Sequence, residues 1–109
     1  MKKQTHKVGI EYEALKIIEK NPHFTQREVA SELGLSLGKT NYVIRELIKK
    51  GWVKLQNFSK SKTKSGYLYI LTPSGFKNKT ILAKDFLKTK IMDFELLKKE
   101  INKLEKDIN

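Results

Sequence analysis

The chain's 109 residues suffice for one domain, and Leu, Ile, Val and Phe supply 32 of them, too many for a disordered chain. It carries 23 Lys and Arg against 12 Asp and Glu, a formal charge of +11, and no cysteine, which excludes disulfides, thiolate catalysis and Cys-ligated zinc. The longest unbroken apolar run, Tyr67 to Leu71, is five residues, far short of the roughly 20 that a membrane-spanning helix requires. The basic N-terminus lacks the apolar stretch of a secretory signal, so a soluble cytoplasmic protein is expected.

Ile10, Ala14, Ile17 and Ile18 recur at helical spacing, and Asn21-Pro22 forbids continuation, which places a first helix over residues 10 to 20. Thr25 caps a second: Glu28 three residues on completes a capping box, Val29, Ala30 and Leu33 supply the buried stripe, and Gly34 ends it. Ser36 caps a third, "SLGKTNYVIRELIKKG", which stops at Gly51 with Lys49 and Lys50 in the last turn, where the helix dipole favours cations. Two short helices joined through Gly34-Leu35-Ser36 fit a helix-turn-helix.

Trp52 to Phe58 and Tyr67 to Leu71 are rich in β-branched or aromatic residues and flank "SKSKTKSG", which reads as a hairpin with a lysine-studded tip. Thr72 caps a further helix, with Pro73 at its first position. Along it Phe94, Leu97, Ile101, Leu104 and Ile108 step by 3, 4, 3 and 4, a heptad seam that Leu87 and Ile91 extend backwards. The 25 residues from Lys84 to Ile108 would span about 37 Å, longer than a small domain can bury against itself, so the seam is expected to mate with a helix of a second chain. The fold class is therefore α+β: a winged helix-turn-helix of three helices and a two-stranded wing over residues 1–75, followed by a long C-terminal dimerisation helix over residues 76–109.

The charge is concentrated. From Lys84 onward seven lysines meet six acids, whereas Ser36 to Lys79 holds ten cations against the single acid Glu46. A field that steers a polyanion is expected over that central third, which points to a nucleic-acid or anionic-membrane surface.

On the third helix Thr40, Ile44, Leu47 and Ile48 form a core face, and Gly38, Lys39, Asn41, Tyr42, Arg45 and Lys49 form the opposite one. That second face suits double-stranded DNA: Arg45 can present a forked donor pair to guanine, Asn41 can pair with adenine, and Lys39 and Lys49 can meet phosphates. Gly38 would let the backbone approach, and Tyr42 could contact a phosphate or a thymine methyl. In the wing, Lys60, Lys62, Thr63 and Lys64 could straddle a phosphate backbone or enter a minor groove. Thr25, Gln26 and Arg27, at the positive end of the second helix, are expected to position a phosphate.

The other residues have plainer roles. Trp52 seals the sheet onto the third helix, and His6 and His23 have no carboxylate cluster of metal-ligand spacing around them. Glu11 and Glu13 lie on opposite sides of a helix, no serine or threonine has an activating context, and no glycine-rich phosphate loop occurs. No catalysis, cofactor, metal or membrane partner is expected.

The run "LSLGKTNYVIRELIKKGWVKLQNF" followed by "YLYILTPSGF" resembles the MarR family of winged-helix transcription regulators, over roughly residues 10 to 108. The likeness is closest to the short subgroup associated with extracellular-polysaccharide (EPS) gene clusters. It implies a homodimer that represses or tunes transcription from a roughly palindromic operator, with contacts at Ser36, Lys39, Asn41, Tyr42 and Arg45 and, in the wing, Lys62 and Lys64. Two features depart from the family pattern. The wing carries lysines and hydroxyls in place of an Asp-Arg pair, and only nine residues precede the expected first helix, so dimerisation should fall on Leu87, Ile91, Phe94, Leu97, Ile101, Leu104 and Ile108. No small-molecule effector is assigned. Two rival functions fit the same residues: a protein-interaction module whose seam recruits a different helix, and an RNA binder, since charge does not tell phosphate chains apart.

Overall fold

The computed structural model describes the backbone of residues 2–57 and 67–109, and side chains from residue 9 onward. Its elements follow in the order α1 (Lys2–Lys20), α2 (Gln26–Leu33), α3 (Leu37–Lys49), β1 (Val53–Asn57), β2 (Tyr67–Leu71) and α4 (Pro73–Ile108). This is the order expected for a winged helix-turn-helix with a long trailing helix.

Local chemistry sets most of the boundaries. Thr25 and Glu28 form the capping box, with the Thr25 N–H donating to Glu28 Oε1 (2.9 Å) and the Glu28 N–H to Thr25 Oγ1 (3.2 Å). Gly34 then closes α2 at a left-handed φ of 70°, a conformation that a residue with a Cβ adopts only at a cost, and the Leu35 N–H returns to the Ala30 carbonyl. That tight exit lets Ser36 start α3 at once, its hydroxyl accepting from the Lys39 N–H at 3.1 Å.

The first helix differs from its expected span. It begins at Lys2, eight residues before Ile10. The added segment is polar, so it leaves no apolar periodicity to detect, but lysine and glutamine are good helix formers. The segment expected to precede the first helix is thus itself part of that helix. Gly9 does not break it, and serves instead as a low point over which the Phe86 ring of α4 passes.

The core gathers Ala14, Leu15 and Ile18 of α1, Val29 of α2, Ile44 and Leu47 of α3, Val53 of β1, Tyr69 and Leu71 of β2 and Leu82 of α4. Trp52 packs against it half-buried, as expected of the ring that joins the sheet to α3. Ile48 does not belong to this core. It is 36% exposed, and Val43 packs there instead. With Thr40, Ile44 and Leu47 defining the buried stripe, Val43 and Ile48 flank it on opposite edges, each roughly 70° from its centre, and the rest of the core covers the Val43 edge only.

Thr40 is fully buried, and its Oγ1 has no hydrogen-bond partner among the described residues. An unmet hydroxyl in an apolar setting costs free energy that a methyl of the same shape does not. Thr40→Val is therefore expected to stabilise the fold by about 1 kcal/mol, raising Tm by roughly 4–8 °C in a thermal melt.

The strands pair antiparallel, Val53 opposite Leu71 and Asn57 opposite Tyr67. On its other side β2 is held by the α1–α2 connection, where the Tyr69 N–H donates to the Pro22 carbonyl at 3.3 Å. The start of α4 rests on the chain after α3: the Thr72 N–H donates to the Trp52 carbonyl (3.0 Å) and the Thr72 hydroxyl to that of Gly51 (2.5 Å). Two ion pairs tie α1 to later elements, Glu11 with Lys50 at 2.5 Å and Glu19 with Lys79. Lys50 also lies over the Trp52 ring, 4.6 Å from its centroid.

Beyond Phe86, which meets Tyr12 at a ring separation of 5.9 Å, α4 leaves the body. The described residues accordingly extend 66 × 25 × 20 Å. Among them no helix is long and apolar enough to cross a membrane.

Candidate nucleic-acid interface

The buried stripe of α3 fixes which residues face outward. Gly38, Lys39, Tyr42, Arg45 and Lys49 are exposed, Tyr42 to 65%, so its ring does not pack into the body. These side chains share one helix with a buried opposite face, which holds them at fixed spacing on a rigid support. Ser36 is exposed as well, with its hydroxyl oxygen accepting the Lys39 N–H of the cap.

Asn41 is placed differently. It is half-buried, and its Nδ2 donates to Gln26 Oε1 of α2 at 3.1 Å. Gln26 Nε2 in turn donates to the Tyr69 hydroxyl at 3.2 Å, and that hydroxyl donates to Tyr67 Oη at 3.4 Å. Burial, reinforced by the bond to Tyr67, pushes the Tyr69 phenol up to about 12, so it stays neutral and can donate and accept at once. Neither tyrosine was expected at the site. They lie 26 and 28 residues beyond Asn41, and no periodicity links a strand residue to a helix N-terminus that distant in sequence.

At the positive end of α2 the three expected residues divide. Thr25 is engaged in the capping box, whose Glu28 carboxylate already occupies that terminus. Gln26 is turned to Asn41 and Tyr69. Arg27 is exposed, and it is the cation of the three that can reach a phosphate.

Not every cation of the central block faces outward for binding, because Lys50 and Lys79 are paired with α1 carboxylates. Lys39, Arg45, Lys49 and Lys54 remain as exposed positive groups on α3 and β1. Lys60, Lys62, Thr63 and Lys64 lie outside the described residues. Among the described residues no three metal-capable side chains come together. On α4, Leu87, Ile91, Phe94, Leu97, Ile101, Leu104 and Ile108 are all exposed, from 47% at Ile101 to 84% at Ile108.

A family described as winged helix-turn-helix DNA-binding matches residues 9–54, which takes in α2, the turn and α3. Among curated protein sequences, none matches this chain. Solved structures resemble it over most of its length. The transcriptional regulator BldR from Sulfolobus solfataricus is 18% identical, with a TM-score of 0.62 over 87% of this chain and 70% of its own. FabT of Streptococcus pneumoniae, solved in complex with DNA, is 24% identical, with a TM-score of 0.55 over 90% of this chain and 73% of its own. A MarR family transcription regulator is 14% identical, with a TM-score of 0.59 over 95% and 77%. The chain thus has the winged helix-turn-helix fold, four helices and a two-stranded antiparallel sheet.

Proposed function

We propose that this chain is a sequence-specific double-stranded DNA-binding transcriptional regulator of the MarR type, a cytoplasmic repressor that acts as a homodimer on a pseudo-palindromic operator. The observation that carries this reading is the outward face of α3, where Lys39, Tyr42, Arg45 and Lys49 stand exposed around Asn41. Residues 1–75 would bind DNA, and residues 76–109 would mate with the second chain. The resemblance of residues 10 to 108 to the MarR family, and within it to the short subgroup of EPS clusters, supports a regulator that represses or tunes transcription.

In this reading α3 lies in the major groove. Arg45 donates in a fork to guanine O6 and N7, Asn41 meets a base edge, and Ser36, Lys39, Tyr42 and Lys49 meet the backbone, with Gly38 allowing close approach. Arg27 holds a flanking phosphate, and Lys60, Lys62, Thr63 and Lys64 of the wing reach the adjacent strand or minor groove.

Binding to random and selected duplexes at several salt concentrations tests this. If each protomer neutralises about five phosphates, log affinity should fall against log salt with a slope near −9 for the dimer. Arg45→Ala should cost about 1–3 kcal/mol on the selected site and relax preference at one base pair, whereas Lys62→Ala should weaken all sequences alike. A salt-independent curve, or equal effects of both substitutions on operator and random DNA, would refute the reading.

A further inference from the structure

Three separate elements contribute to one line of polar atoms: Asn41 of α3, Gln26 of α2, and Tyr69 and Tyr67 of β2. Every link runs in the same direction, and each fixes the next. Because the Tyr69 hydroxyl gives its proton to Tyr67, it receives one from Gln26, so the Gln26 amide turns its NH2 toward the strand. Its carbonyl oxygen is then what faces Asn41, and Asn41 must offer its own NH2 in return. Asn41 Oδ1 is left without a partner among the described residues.

Resting on the reading of α3 as the DNA-reading helix, we propose that Gln26 is a positioning residue that sets which base Asn41 accepts, and that Tyr69 anchors this setting to the wing strand. A side-chain amide can be turned over at little cost in shape, exchanging an acceptor for a donor. Here the relay removes that freedom. It turns the acceptor Oδ1 away from Gln26 and ties one of the two Nδ2–H donors to Gln26 Oε1, so the free acceptor suits the major-groove amino groups of adenine N6 or cytosine N4, adenine also offering N7 to the remaining N–H, ahead of the carbonyl oxygens of guanine and thymine. Gln26 and Tyr69 act through Asn41 without touching a base.

The test is selection from a random duplex pool with the full chain and four variants, each checked by thermal melting. Wild type should enrich an inverted repeat with adenine or cytosine at one position of each half-site, and Asn41→Ala should flatten that position. Gln26→Met should flatten the same position, lower affinity for the repeat by about tenfold and leave the other positions intact. Gln26→Glu keeps an acceptor for both Asn41 and Tyr69, so the base preference should persist while the added negative charge weakens operator and random DNA in equal proportion. Tyr69→Phe cannot receive from Gln26, so the amide pair is released to either orientation and the position should admit guanine and thymine as well.

If Gln26→Met or Tyr69→Phe leaves the position unchanged while Asn41→Ala flattens it, the inference is overturned and the proposed function stands. The inference also falls if Asn41→Ala alters no position. A wild-type chain that enriches no sequence overturns the proposed function itself.

Discussion

Replacing Gly75 by alanine should lower the melting temperature by about 12 °C or more, a loss near 3 kcal/mol. Gly75 lies in the first turn of α4, where the helix backs onto the chain leaving α3. A methyl group there would stand 2.0 Å from the Trp52 carbonyl oxygen, 2.9 Å from its carbon and 3.3 Å from its Cα. Overpacking costs roughly 1–3 kcal/mol when the neighbours are side chains that can yield. These neighbours are backbone, and they are held by the Thr72 N–H on the Trp52 carbonyl and the Thr72 hydroxyl on the Gly51 carbonyl. Relief would require α4 to lift off, breaking both bonds and opening the core at Leu82. Gly38 is the control, since nothing lies within 4 Å of a methyl at that position. Gly38→Ala should melt at or slightly above wild type, because alanine favours helix. Circular dichroism melts of the three proteins decide it, and a Gly75→Ala chain as stable as wild type would show that α4 is not seated on Trp52.

The second large effect is expected at the far end of the same helix. Leu97→Glu combined with Ile101→Glu should weaken self-association at least a thousandfold, about 4 kcal/mol. The seven seam residues stay exposed in the single chain. Burying such side chains stabilises by about 1.5–3 kcal/mol each, and four carboxylates facing one another in an apolar seam would reverse that gain. Sedimentation at low salt would read the change as a dimer becoming a monomer. The monomer should keep its fold, because neither position contributes to the core around Leu15 and Ile44. It should also lose preference for an inverted repeat over a single half-site. A wild-type chain that is already monomeric would favour a different helix as the partner of the seam, the rival interaction-module reading.

What the sequence revealed follows the range of the interactions. Caps are local, so Thr25 with Glu28, Ser36 and Thr72 with Pro73 could all be read as helix starts, and each one makes its bond. The heptad steps of α4 were equally plain, because a stripe of apolar residues on a charged helix has no local competitor. The start of α1 was missed because a polar helical segment leaves no pattern. Ile48 was misplaced because it and Val43 flank the buried stripe at nearly equal angles, and only the packing of the other elements decides which edge is covered. The Asn41–Gln26–Tyr69 relay joins polar residues 15 and 43 positions apart, and such pairs carry no period. Lys50 was read as a partner for the dipole of α3, yet its ammonium group reaches the carboxylate of Glu11, which is only 8% exposed.

After Gly75 the rest of α4 contains neither glycine nor proline, so no swivel separates its seated end from its free end. In the proposed dimer the two heads would then be spaced as by a ruler, with the interval between their grooves cut into the length of the shaft. Turning one shaft about its axis would swing its head like a crank, and the half-site interval on the DNA would be decided some thirty ångströms away from any base.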